Sequence, residues 1–465
     1  MIKHRRECDS LGEVSVPADA LYGAQTARAV ENFPISGRTM PVRFIAALGL
    51  IKTAAAVAHK KAGRLDGKLA DAIIAAAKEV AAGQLNEHFP VDVFQTGSGT
   101  SSNMNANEVI TNRANQLLGR AIGSQGPVHP NDHVNMGQSS NDVIPSAVHI
   151  SSALAIHNEL IPALKSLSSA LATKAGQFDA VVKVGRTHLQ DAVPIRLGQE
   201  FSGYAAAVDG SIGVLGRAID GLCELAIGGT AVGTEMNCPE GFAGELVRFI
   251  AGKTHLPFHE SANHFAAHTV PIPAVRASGA LKITAIAVSK IANDIRLLGS
   301  GPRCGFGELI LPAVQPGSSI MPGKVNPVIP EAVVQVACRV VGLDAAVSAA
   351  ALGGVGSILE MHLAWPVIAD NLLEGASLLT NAVNVFRKKC IEGLTADAQR
   401  CGELIERSLM LATALAPKIG YDAAVEIAKQ AHETGKTIRE IAIQQGAISE
   451  EELNELLDVR SQTGP

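Results

Sequence analysis

Hydroxyls, amides and a few basic groups collect in four segments of this 465-residue chain: TGSGTSSNMN (96–105), HPNDHVNMGQSSND (129–142), GRTHLQDAVP (185–194) and QPGSSIMPGKVNP (315–327). Taken singly, each has an ordinary explanation, because Ser, Thr and Asn cap helix starts and Gly turns the chain. Together they are rich in hydrogen-bonding groups and sparing in cations, which predicts an anion site divided among separate stretches. Helix N-termini offer free N–H groups and partial positive charge, and so suit carboxylates or phosphates.

The fourth segment is the costliest. Three Pro and two Gly in thirteen residues exclude a helix or a central strand. It belongs to a longer stretch, 301–329, with five Gly and five Pro. Loops beyond ~12–15 residues inside compact domains are usually lids or binding loops. Lys324 can neutralise a carboxylate. Ser318 or Ser319, beside Gly317, can accept a proton if N–H donors stabilise its alkoxide; so weak an acid demands a preorganised, dry pocket.

Competing chemistries fail on spacing. A P-loop needs four residues between its Gly and Gly-Lys and then Ser or Thr, whereas five separate Gly317 from Gly323 and Val325 follows Lys324. TGSGTSSN has Ser102 where a dinucleotide fingerprint has its third Gly, and no βαβ pattern surrounds it. His255, His259, His264 and His268 include two i,i+4 pairs, but Pro257 interrupts the first and Asn263 stands where H-E-x-x-H needs its second His. These histidines are therefore expected at the surface or as caps, and no metal is expected.

The elements that must hold such segments are helical. Hydrophobic residues make up 47% and aromatics only 3%, so a large core must be built from Ala, Val, Leu and Ile, which lets helices approach closely. Long apolar segments recur at 146–175, 195–225, 272–298, 331–352 and 367–386, many apolar on more than one face. A ~30-residue helix is a rod of about 45 Å, and rods with apolar sides call for oligomerisation. Three regions follow: a mixed, mainly helical one (1–140), a central long-helix bundle (141–393) and a small C-terminal helical one (394–465).

A formal charge of −5, with no basic run beyond Lys3-His4-Arg5-Arg6, argues against a nucleic-acid partner; that tetrad reads as a solvated terminus. No unbroken apolar run reaches the ~18–20 residues of a membrane helix, and no signal-peptide pattern opens the chain. Seven scattered cysteines without a C-x-x-C pair fit free thiols in a reducing cytoplasm.

GSSIMPGKVNP closely resembles the signature of the fumarase/aspartase superfamily. ENFPISG, TGSGT…NMN, HPNDHVN…QSSND, GRTHLQDA, GGTAVGT, SGALK, KIANDIR, SGPR and SLMLATAL match other parts of that family in order, over nearly the whole chain. The resemblance implies an all-α, three-domain subunit in a homotetramer with a twenty-helix core, each active site shared among subunits. It implies β-elimination on a C4 dicarboxylate through an aci-carboxylate, without metal or organic cofactor. Ser318 would be the base, and Lys324 and Asn326 would hold the carboxylate where charge develops. Ser98, Thr100, Ser139, Ser140 and Asn141 would add hydrogen bonds. Thr187 and His188, with Glu331 as partner of His188, would serve the leaving group, and His129, Asn131 and Asp132 would form a peripheral dicarboxylate site.

TGSGT, QSSND and HPNDHVNM lean towards class II fumarases, hence hydration of fumarate to (S)-malate. SSNMNANEV and NPVIPE lean towards aspartases, leaving aspartate ammonia-lyase or a related succinyl-substrate lyase as the alternative. Glu235-Met236, Gly137 and His362 depart from both patterns.

Overall fold

The structure, a computed structural model, describes residues 3–124, 126–446 and 448–464. Helices dominate, and the strands pair only two by two among the described residues. The chain divides into two compact units: Met1–Pro162 with Gly213–Ala285 and Cys338–Thr380, and Ala163–Ile212 with Ile286–Ala337 and Asn381–Pro465.

The first unit opens with β1 (His4–Asp9) and β2 (Gly12–Pro17), an antiparallel hairpin where the sequence promised only turns and a solvated basic end. Arg5 explains the difference. Its guanidinium donates to the Pro17, Ala20 and Tyr22 carbonyls at 2.6–2.7 Å, so this basic group organises the chain instead of trailing in water. After α1 (Ala24–Asn32), helices α2 (Val42–Lys61) and α3 (Gly67–Ala81) pack through small side chains. A Cβ on Gly49 would lie 2.5 Å from the Ala81 nitrogen, which is the close approach an alanine-rich sequence permits. Helix α4 (Thr100–Leu117) follows, then α5 (Ser140–Ala155), whose first residue lies six positions before the expected start.

What looked like one long segment is α5, a π-helical turn at Ile156–Leu160, and α6 (Ile161–Gln177). Next come β3 (Val182–Thr187), β4 (Gln190–Arg196) and α7 (Leu197–Leu222). Helices α8 (Phe242–Thr254), α9 (His264–Thr269), α10 (Ile272–Leu298), α11 (Val328–Ala350) and α12 (Trp365–Phe386) follow. Two histidines of α9 contradict the surface reading: His264 and His268 are buried, with His264 held by the Ala226 carbonyl and by Glu260. His255, by contrast, is the exposed left-handed C-cap of α8.

In the second unit, α13 (Ala398–Glu406), α14 (Ala412–Ile419), α15 (Tyr421–Thr434), α16 (Ile438–Gln445) and α17 (Glu450–Leu456) enclose a separate apolar core. Leu415, Ile427, Ile441 and Leu453 lie at its centre, and Val184 of β3 joins it. Beside this core, the fully buried Glu308 accepts from Arg186 at 2.8 and 3.0 Å and pairs with Lys183 at 3.2 Å. A buried carboxylate needs such partners, and here they fix the strand that leads to Thr187.

Helices α2, α10 and α11 are each long and apolar enough to cross a membrane, although no unbroken apolar run in the sequence is. The apolar stretch of α2 is 72% buried, whereas those of α10 and α11 are 44% and 33% buried. Ile283, Ile286 and Val341 therefore face outward from a single chain.

Candidate active site

In the first unit, two helix starts meet. Thr100 is the first residue of α4 and Ser140 the first of α5, and their hydroxyls are 2.8 Å apart. Ser98 joins the Thr100 hydroxyl at 2.8 Å, Ser140 donates to the Asn141 side-chain oxygen at 3.3 Å, and the Asn141 amide donates to the Ala231 carbonyl at 2.6 Å. The glycines of TGSGT make this possible. Gly99 sits at φ +75° against Ile144, and a Cβ on Gly97 would fall 1.8 Å from the Leu363 carbonyl oxygen. Ser139 caps α5 in a reciprocal capping box with Asp142. Asp142 is fully buried and also accepts from the Gly228 and Thr230 N–H groups, which ties GGTAVGT to the same helix start. Burial pushes its carboxyl up to about 6 despite those donors and Lys52.

The peripheral residues lie one loop earlier. The His129 ring accepts from the Asp132 N–H at 3.2 Å, and His129 and Asn131 line a cavity of 470 Å³ that also includes Arg6, Gln25 and Asn112. Asn131 and Asp132 are exposed.

In the second unit, GRTHLQDAVP is a β-hairpin where a loop between helices was expected. Thr187 pairs with Gln190, and the two turn residues His188 and Leu189 both have positive φ, 57° and 62°. That is the pattern of a two-residue hairpin turn normally given to Gly or Asn, so the chain holds His188 in a strained, exposed position. A Cβ on Gly185 would meet the Val193 carbonyl at 2.6 Å, at the register shift that re-aims the strand end.

QPGSSIMPGKVNP is a looped segment closed on itself. The Gly317 N–H donates to the Lys324 carbonyl at 2.8 Å, and the Asn326 amide donates to the Gly317 carbonyl at 2.7 Å. Pro322-Gly323, with Gly323 at φ +79°, turns the chain as a type II turn does. The Ser318 Oγ accepts from the Ile320 and Met321 N–H groups at 3.2 and 3.1 Å. Two converging amide dipoles are what a transient alkoxide on that oxygen needs. The Lys324 ammonium is exposed and Glu331 lies in the first turn of α11. No side-chain hydrogen bond or ion pair engages Lys324, His188 or Glu331 among the described residues, so the expected His188–Glu331 pair is not formed within the chain.

Residues 12–342 match a family model described as lyase, and residues 411–464 match one described as fumarase C C-terminus. The chain belongs to the fumarase-type lyases. Among its lyase relatives, a class II fumarate hydratase of Halobacterium salinarum is 53% identical over 460 residues, covering 99% of this chain and 97% of that one. The mitochondrial fumarate hydratase of Saccharomyces cerevisiae is 50% identical over 463 residues, 99% and 94% of the two chains. The crystal structure of a class II fumarase from Schistosoma mansoni superposes with a TM-score of 0.94 at 40% identity, covering both chains completely.

Two features of this lyase escaped the sequence reading. Glu308 with Lys183 and Arg186 is scattered along the chain and carries no local signature. Lys52 did carry one: it is the only charged residue between Phe44 and Ala58, in the middle of a buried helix. Gly137, one of the departures from the family pattern, sits in a tight place at φ +65°. A Cβ on Gly137 would come within 2.9 Å of Pro239, in the loop that follows Glu235-Met236.

Proposed function

We infer that the chain is a class II fumarate hydratase, interconverting fumarate and (S)-malate. The observation that carries the mechanism is the Ser318 hydroxyl facing two amide donors, which lowers the cost of a transient alkoxide. Ser318 removes the C3 proton of malate. The charge spreads onto the adjacent carboxylate as an aci-carboxylate, where Lys324 and Asn326 hold it. Ser98, Thr100, Ser139, Ser140 and Asn141 hold carboxylate through hydroxyls and amides at two helix starts, and His188, with Thr187 and Glu331, serves departing water. Fixed donors matter most where charge develops, because only interactions stronger in the transition state speed the step. The names of relatives at about 50% identity favour water over ammonia as the leaving group.

Lys324, His188 and Glu331, which hold no side-chain partner among the described residues, together with the outward apolar faces of α10 and α11, support a homotetramer whose active sites are shared between subunits. His129, Asn131 and Asp132 are read as a peripheral dicarboxylate site. All seven cysteines are free, which supports a reducing compartment such as the cytoplasm.

The test follows fumarate by its ultraviolet absorbance. Malate should generate the signal and aspartate should not. Turnover of aspartate alone overturns the hydratase reading in favour of an ammonia-lyase.

A further inference from the structure

Lys52 stands in the middle of α2 with its whole side chain buried. Its ammonium donates to the Asn135 Oδ1 at 2.9 Å and to the Gln138 Oε1 at 3.0 Å, and no carboxylate lies within ion-pair distance among the described residues. Burial pushes this lysine down to about 7, and the charge of Asp142 only partly opposes that. An ammonium so placed is expensive, since two neutral oxygens replace its water and no counter-ion touches it. An apolar side chain would fill the same helix position at no such cost, so the charge points to a role beyond packing α2.

What it holds is the loop that feeds α5. Asn135 and Gln138 are bound to each other, the Asn135 amide donating to the Gln138 carbonyl at 3.1 Å, and the Gln138 amide donates back to the Val134 and Met136 carbonyls. Asn103 of α4 adds a donor to the same Asn135 oxygen at 3.2 Å. Two turns along α2, the His59 Nε2 meets the Met136 carbonyl at 2.8 Å. Gln138 is followed directly by Ser139, Ser140 and Asn141. The loop cannot shift without carrying those three residues with it, and among the described residues Lys52 is the one cation that grips both of its amide side chains.

We propose that Lys52 is a positioning residue: its buried ammonium clamps Asn135 and Gln138 and so sets the placement of the Ser139–Asn141 segment against the hydroxyls of α4. The effect on catalysis rests on the reading that Ser139–Asn141 bind the substrate carboxylate. Groups that bind substrate and transition state alike govern KM more than kcat. A displacement of even 1 Å at such groups is costly.

The test replaces the cation with an isosteric apolar chain, Lys52→Met, in the full-length protein. Two readouts are taken: steady-state kinetics with fumarate, and amide hydrogen exchange of residues 139–143 against that of α3. The expected result is a KM raised about 10-fold or more with kcat within about threefold, and faster exchange at 139–143 with α3 unchanged. Unchanged exchange at 139–143, or a loss of kcat with KM intact, overturns the proposal. If Lys52→Met does not fold, Gln138→Leu removes the loop side of the same contact and decides by the same criteria. Should the wild-type protein fail to hydrate fumarate, the substrate reading falls, while the exchange measurement still decides the clamp.

Discussion

The hydroxyl cluster of the first unit and the reactive loops of the second are finished to different degrees. Ser98, Thr100, Ser140 and Asn141 form a continuous hydrogen-bonded chain, anchored by Asp142 and by Lys52 beneath it. In the second unit Lys324, His188 and Glu331 hold no side-chain partner among the described residues, and the hairpin turn that presents His188 is strained. On the function proposed above, the first surface only recognises carboxylate oxygens, and one chain can complete it because its donors satisfy one another. On the same proposal, the second set moves protons and meets developing charge, and such groups cannot be satisfied in advance without losing that function, which agrees with their standing open on braced supports. Arg186 and Glu308 brace the hairpin, and the Gly317–Lys324 hydrogen bond braces the loop.

The largest expected effect tests that division directly. Ser318→Ala removes the oxygen that faces two amide donors and should lower kcat by about 10²–10⁴-fold, with helical circular dichroism unchanged. Ser140→Ala, in the other region, should act mainly through KM, by about tenfold, if Ser140 holds the substrate carboxylate throughout as proposed. If Ser318→Ala turns over at near wild-type rate, the open loop is not the proton-moving half and the contrast collapses.

The same substitution placed in each region sharpens the comparison. On Gly97 a Cβ would fall 1.8 Å from the Leu363 carbonyl oxygen, and on Gly317 it would fall 2.7 Å from the Lys324 carbonyl oxygen. In both cases backbone must move. Gly97 is packed against the backbone at Leu363, so Gly97→Ala should cost about 1–3 kcal/mol and show as a lower melting temperature. The Gly317 loop has exposed neighbours, Ile320 and Met321 among them. Gly317→Ala should therefore leave melting nearly unchanged and lower kcat about tenfold through a displaced Ser318. A large melting loss for Gly317→Ala would mean that the loop is as rigid a part of its unit as the cluster is.

How far the sequence revealed these regions follows from the kind of signal each leaves. The long helices were legible because apolar periodicity is local; α10 runs from Ile272 to Leu298 as the pattern predicts. The segments around Thr100 and Ser140 were legible as Gly/Ser/Asn breaks, but α5 was expected to start only at 146, and the meeting of the two helix starts at 2.8 Å was hidden because it joins residues forty apart. The hairpin at His188 was missed because His-Leu replaces the Asn-Gly type of turn that announces one. The β1–β2 hairpin was missed for a similar reason, as its order depends on Arg5 reaching carbonyls more than ten residues away. Buried polar groups such as His268 and Glu308 are invisible by composition, because burial of a polar side chain is decided by partners brought in from other elements.

A smaller effect comes from the polar interior of the first unit. His268 and His362 are buried and held down to about 4 by desolvation. An unfolded chain takes up these protons near 6.5, whereas the folded chain resists until about 4, so the unfolded state binds more protons in that window. Stability should be full above about pH 6.5 and fall as pH drops towards 4. His362→Asn should flatten the fall by roughly the share of one histidine, measured as melting temperature against pH. An unaltered slope would place the acid sensitivity elsewhere, for instance in the second unit.

The smallest expected effect concerns the strained turn. Leu189 at φ 62° occupies the left-handed region, where a non-glycine residue costs about 1–2 kcal/mol. Leu189→Gly relieves that strain but loosens the unfolded chain at a cost of about 0.4–1 kcal/mol, so the melting temperature should change little. If the strain serves to fix His188, the looser turn should lower kcat by about threefold to tenfold while the fold stays intact. Full activity together with a higher melting temperature would mean that the turn merely tolerates its strain. The open region would then differ from the hydrogen-bonded cluster only in lacking partners, and not in being held ready for its reaction.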